Sequence, residues 1–228
     1  RYSNIMFFKN GIYIPPLDDT PVNSELERAP TSNWAFDKAA LDAAHAAALD
    51  AHTYNWGQKL TTGQYHYPWP YFTTATVAIA ADGMRAFPFW VPRNMTIDRI
   101  AVEVTIAAAA GKVCRLGIYN DGINCYPGAL SLDAGTVAID AVAVVALNVN
   151  KALTKGLHWF VMLANDTATY KQFAPTMSPM GVTAGNLTTW NGCLSVAQAY
   201  GALPNPFTAG GAFVAAGAIT AYRILSLD

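Results

Sequence analysis

The chain has 228 residues, a formal net charge of −1 and a pI near 6.5, enough for one well-cored domain with a smaller appendage. Charged residues make up 13% and hydrophobic ones 53%, which argues against a disordered chain and against the basic patch of an electrostatic nucleic-acid binder. The longest uninterrupted apolar run, residues 141–147, is strand-sized, so no membrane insertion is expected.

Residues 1–30 mix aromatics with Pro15, Pro16, Pro21 and Pro30. No basic-then-apolar leader follows Arg1, so nothing reads as a signal peptide. Each proline lacks an N–H and restricts its predecessor, which predicts an extended arm. Ile5, Phe7, Phe8, Ile12, Tyr13 and Ile14 are costly to leave in water and call for a docking partner. Residues 31–62 form the second zone, a helical stalk or linker. Thr31 or Ser32 caps a run from Trp34 to Ala51 without Gly or Pro, rich in strong helix formers. Trp34, Leu41 and Ala48 recur at seven, with Ala44 and Ala51 interleaved. That is a short seam of small residues suited to packing among identical chains. A single helix lying on a β-domain fits the same pattern.

Residues 63–228 change to period two. Ile100, Val102, Val104 and Ile106 alternate with Ala101, Glu103 and Thr105, and Cys114, Leu116 and Ile118 with Arg115 and Gly117. Leu157, Trp159, Val161 and Leu163 alternate with His158, Phe160 and Met162, and Tyr222, Ile224 and Ser226 with Arg223 and Leu225. Turn residues punctuate them at 81–83, 92–94, 120–122, 126–128, 155–156 and 204–206. This predicts a mainly β fold, an antiparallel β-sandwich of jelly-roll type. The cluster Tyr65, His66, Tyr67, Trp69, Tyr71 and Phe72 is held extended by Pro68 and Pro70. It reads either as a stacking surface for sugars or as the joint between helix and β-domain.

Residues 172–222, a run of 51, contain no Asp, Glu, Lys, Arg or His. Such a stretch faces other subunits or presents uncharged loops to a polar ligand, unless the charges of a charge-poor protein simply lie elsewhere. Trp190, Tyr200 and Phe207 within it are the candidate ligand-binding rings.

Catalytic and metal signatures are sparse. No G-x-S-x-G, H-E-x-x-H, P-loop or G-x-G-x-x-G pattern occurs. Asp82, Asp98, Glu103, Asp121, Asp133, Asp140, Asp166 and Asp228 read mostly as solvated turn and surface charges, with no pair to single out as a glycosidase couple. His45 and His52 are too far apart on a helix to share one metal. The turn at Asn120, Asp121 and Asn124 lacks the spacing of a calcium loop. Neither an enzyme nor a cofactor is expected. Cys114 reads as a small core residue, and a Cys125–Cys193 bridge is one option that spacing alone does not establish.

A broader layout emerges between residues 89 and 166. The runs Phe89-Trp90-Val91-Pro92, Asp98-Arg99-Ile100, Arg115-Leu116-Gly117-Ile118-Tyr119, Pro127-Gly128, Asp133-Ala134-Gly135 and Gly156-Leu157-His158-Trp159 resemble the C-terminal β-sandwich of tailed-bacteriophage tail-fibre and receptor-binding proteins. The upstream SNWAFDKAALDAAHAAALDAH is similar to a helical segment found in phage structural proteins. The resemblance is one of turns and core residues. It implies a homotrimer in the virion, an N-terminal arm attached to other virion proteins, and a head that contacts host surface polysaccharide. A capsid or tail decoration protein without receptor binding, and a carbohydrate-binding module, are the alternatives.

Overall fold

Successive side chains of a strand point to opposite faces, so each alternating run has one face to bury and one to leave. The computed structural model describes residues 7–9, 12–14, 54–55, 58–68, 72–175, 180–183, 186–215 and 217–228. The described residues contain strands and no helix. The helix expected at 34–51, with Trp34, Leu41, Ala44 and Ala48, lies outside them. The chain divides into two units, Arg1–Leu49 and Asp50–Asp228. In the first, β1 (Phe7–Lys9) and β2 (Ile12–Ile14) pair antiparallel. In the second, β3 (Tyr54–Asn55) pairs with β4 (Gln58–Lys59), so strand stands at these positions of the expected stalk or linker.

The remaining strands begin with β5 (Tyr65–His66), β6 (Phe72–Ile79), β7 (Gly83–Val91), β8 (Met95–Ile106), β9 (Val113–Asp121) and β10 (Pro127–Ala138). Then come β11 (Ala143–Leu153), β12 (Gly156–Ala164), β13 (Ala168–Pro175), β14 (Val182–Thr183) and β15 (Asn186–Trp190). The last are β16 (Cys193–Ala197), β17 (Ala212–Val214) and β18 (Ala221–Leu227). All of these but the separate β14–β15 pair belong to the sandwich.

Strands β6 to β13 pair as one nested hairpin: β9 with β10, β8 with β11, β7 with β12, and β6 with β13. Folding that hairpin over joins β12 to β9 and β13 to β8. The result is two antiparallel sheets, β10-β9-β12-β7 and β11-β8-β13-β6. This is the strand order of a jelly roll, so the expected β-sandwich is what the chain forms. β16 and β17 extend the first sheet beyond β7. β18 lies along residues 95–101 of β8, on the edge that β13 takes at 104–106, and β5 lies beyond β18.

The alternation in β12 sorts its side chains between two cores. Phe160, Met162 and Ala164 face the space between the sheets, with Phe89, Ile100, Leu116 and Tyr222. Trp159, Val161 and Leu163 face the other way, beside Met84, Tyr119 and Leu194. Residues 198–211 fold over that outer face, and Leu203 and Phe207 are buried in it. Part of the charge-free stretch is therefore charge-free because it is packed inside its own chain. Gly117 shows how closely: a Cβ there would come within 2.3 Å of Leu203 Cδ1 and 2.7 Å of the Leu132 carbonyl oxygen.

His158 sits where β12 enters the inner core, 5% exposed and 5.6 Å from the Phe89 ring. Its Nε2–H donates to the Thr154 carbonyl at 2.8 Å, and its buried Nδ1 has no hydrogen-bond partner. Burial, which penalises the charged ring, pushes its pKa below the ordinary histidine value. The folded chain thus favours neutral His158 while the unfolded chain titrates near about 6.5. The stability this contributes is fully present above that pH and is lost as pH falls below it. Denaturant midpoints measured between pH 8 and 5 should drop on the acid side, and the drop should shrink in His158→Gln.

Candidate functional site

The trough on the outer face of the second sheet follows from side-chain size. Ala101 on β8 and Ala221 on β18 are cross-strand neighbours, and their methyl groups leave a depression between taller flanks. Tyr65, opposite Arg223 on β5, and Tyr67 just beyond form the aromatic flank. Val144 on β11, opposite Glu103, forms the facing one. Glu103 and Lys171 stand at one end, and Ile219 completes the lining. The cavity measures about 170 Å³, below the roughly 300–1,000 Å³ of clefts that enclose a drug-sized ligand, so it takes a single ring.

Strand alternation explains why this face, and not the core, holds these groups. His66 points inward, 5% exposed, with its ring 5.9 Å from that of Tyr222, while Tyr65 points outward and is 41% exposed. The aromatic cluster noted in the sequence is thus split between core and surface. Glu103 supplies an acceptor and Lys171 a donor, and neither has an ion-pair partner among the described residues. Farther along β8, outside the lining, Asp98 accepts the Arg223 Nε–H at 2.8 Å and a second bond from Nη2. Those hydrogen bonds hold the Asp98 carboxyl below the usual carboxylate range. An aromatic flank, a carboxylate and an ammonium around a one-ring depression suit a polyhydroxylated ring: a C–H face against tyrosine, and hydroxyl groups on the polar end.

The rings picked out in the sequence lie elsewhere. Phe207 is 5% exposed, edge-on to Tyr119 at 5.3 Å and to Tyr126 at 5.7 Å. As a ligand platform it is corrected to a core ring, because segment 198–211 uses it to cap the first sheet. Tyr200 is half-buried against the same cluster, and its N–H donates to Asp82 Oδ1 at 2.7 Å. Trp190 ends β15, its backbone opposite Val182; its side chain lies outside what is described. Tyr200 and Phe207 are brought to one face, but as packing.

Several of the aspartates read as solvated charges have fixed partners, in turns at Asp140 and Asp166 and on strands at Asp121 and Asp133. Asp166 accepts the N–H groups of Ala109 and Thr167, and Asp140 that of Gly111. Asp121 accepts the Trp159 indole N–H at 2.9 Å. Asp133 pairs with Arg115 at 2.6 Å. No group of three or more His, Cys, Asp or Glu that would hold a metal ion occurs among the described residues. All three cysteines are thiols, Cys125 exposed and Cys193 buried, so the Cys125–Cys193 bridge is not formed. Burial pushes the Cys114 and Cys193 thiols up to about 12. No helix among the described residues is long and apolar enough to cross a membrane.

No protein-family model matches the chain, and a search of curated proteins finds no significant match.

Proposed function

We propose that the chain is a non-catalytic structural component of a tailed-bacteriophage particle, a tail-fibre or receptor-binding protein whose sandwich contacts host surface polysaccharide through the Tyr65–Tyr67 trough. The virion assignment rests on the resemblance carried by residues 89–92, 98–100, 115–119, 127–128, 133–135 and 156–159. The glycan contact rests on one observation, the exposed Tyr65 flank beside a carboxylate and an ammonium, Glu103 and Lys171, that form no ion pair among the described residues. Screening the full chain against host-derived polysaccharides and titrating the best ligand tests it. Tyr65→Ala is expected to weaken binding about tenfold, the loss of roughly 1.4 kcal/mol of ring contact, with thermal stability nearly unchanged because the ring is exposed. Unaltered affinity in Tyr65→Ala and Tyr67→Ala, or no glycan bound at all, would remove the trough from the reading.

A decoration protein without receptor binding is the second reading. The burial of Phe207 favours it, since segment 198–211 packs both its rings, Tyr200 and Phe207, on its own sheet. Failure of every glycan to bind, with the protein still binding phage particles that lack it, would select this reading.

A further inference from the structure

β11 is an edge strand: it pairs with β8, and no other described strand takes its second edge. Natural sheets protect such edges with charge, proline, bulges or shortness, because a row of open N–H and C=O groups recruits another strand. This edge runs for 11 residues. Residues 141–150 contain no charge, proline or glycine. Val142 and Val144 are 68% and 64% exposed, and Ile106 at the end of β8 is 63% exposed. The flanking charges are opposite in sign, Asp140 at one end and Lys151 at the other.

We propose that β11 pairs antiparallel with β11 of a second copy of this chain, about a two-fold axis near Ala146. That arrangement is self-complementary. It brings Asp140 of each copy to the end of the edge where Lys151 of the other lies, and it sets no like charges opposite one another along residues 141–150. A one-residue slip would turn the outward Val142 and Val144 against inward-facing positions, so only registers that keep the outer faces in phase are allowed. An antiparallel two-fold stands perpendicular to the sheet, so the joined outer faces look the same way. The two Tyr65–Tyr67 troughs then lie on one side of a continuous sheet. Resting on the glycan reading, this makes the pair bivalent toward a repeating polysaccharide, with a gain in avidity of up to about 10²–10⁴.

Sedimentation of the full chain over a concentration series tests the edge. Ala146→Lys puts two ammonium groups at the axis on an exposed position and should weaken association at least about tenfold, without lowering the melting temperature. Asp140→Lys should weaken it as well, and Asp140→Lys combined with Lys151→Asp should restore it. A chain that is monomeric throughout, or a dimer or trimer indifferent to all three variants, would overturn the proposal. Glycan measurements separate the two readings: Tyr65→Ala should leave self-association intact. Asp140→Lys, away from the trough lining, should keep the affinity for a single repeat unit but lose avidity for the polymer. If no glycan binds, sedimentation alone still decides the edge.

Discussion

Replacing Phe160 by alanine is expected to lower the unfolding free energy by about 3–5 kcal/mol and the melting temperature by roughly 10 °C. The Phe160 ring is fully buried and stacks on Phe89 at 3.9 Å with an interplanar angle of 15°. Tyr222 lies 5.8 Å from both rings. Phe89 and Phe160 belong to the first sheet and Tyr222 to the second, so this trio joins the two sheets. Removing its centre leaves a cavity that strand backbones on both sides hold open, since paired strands cannot collapse to fill it. Phe160→Leu keeps most of the volume and should cost less than half as much. Urea unfolding with an unchanged m-value is the check; a loss under about 1 kcal/mol for Phe160→Ala would mean the site repacks.

That trio also shows how far alternation carries a reading of the sequence. The period-two runs at 100–106, 114–118, 157–163 and 222–226 all lie in strands, β8, β9, β12 and β18. The core-facing phase was legible in β8, where Ile100, Val102 and Val104 are buried, although Ile106, the last of that run, is exposed at the strand's end. In β12 the same pattern misleads slightly, because both phases are apolar. His158, Phe160 and Met162 face one core while Trp159, Val161 and Leu163 face another. Only the covering segment 198–211 makes the second face dry, and nothing local in β12 announces it. The nested pairing of β6 with β13 is likewise not written in either strand, since any two charge-poor strands satisfy the same pattern. It is fixed by which faces the whole set must bury.

The candidate site was half legible. Tyr65 and Tyr67 were visible as rings held extended by Pro68 and Pro70, and alternation alone places His66 on the opposite face. The alanine floor was invisible: Ala101 and Ala221 are far apart in sequence and become a depression only through their pairing. Phe207 was misread for a physical reason. A ring in a charge-free, proline-rich loop looks the same whether it awaits a ligand or caps its own sheet, and the distinction lies in Tyr119 on β9 and Tyr126 just before β10, both 80 or more residues away.

The cap has a polar counterpart, and Asp133→Ala should destabilise the chain by about 2–3 kcal/mol, the scale of losing charge-assisted hydrogen bonds from a mostly covered site. The Asp133 carboxylate accepts Arg115 Nη1–H at 2.6 Å from β9, the Gly135 N–H at 3.1 Å from its own strand, and the Leu203 N–H at 3.4 Å from the covering segment. One side chain thus fastens β9, an irregularity in β10, and segment 198–211. The same pair is 24% and 25% exposed, covered enough that water does not replace the lost partners fully. Asp133→Asn keeps acceptor oxygen but gives up the charge, and should lie between wild type and alanine. The decisive readout is local. Hydrogen exchange at the Leu203 amide should accelerate more than exchange in β7 or β12, because the cap lifts from an otherwise intact sheet. Uniform acceleration across all strands would instead mean that the cap and the sandwich open as one unit, which would make segment 198–211 as much a part of the fold as the strands it covers.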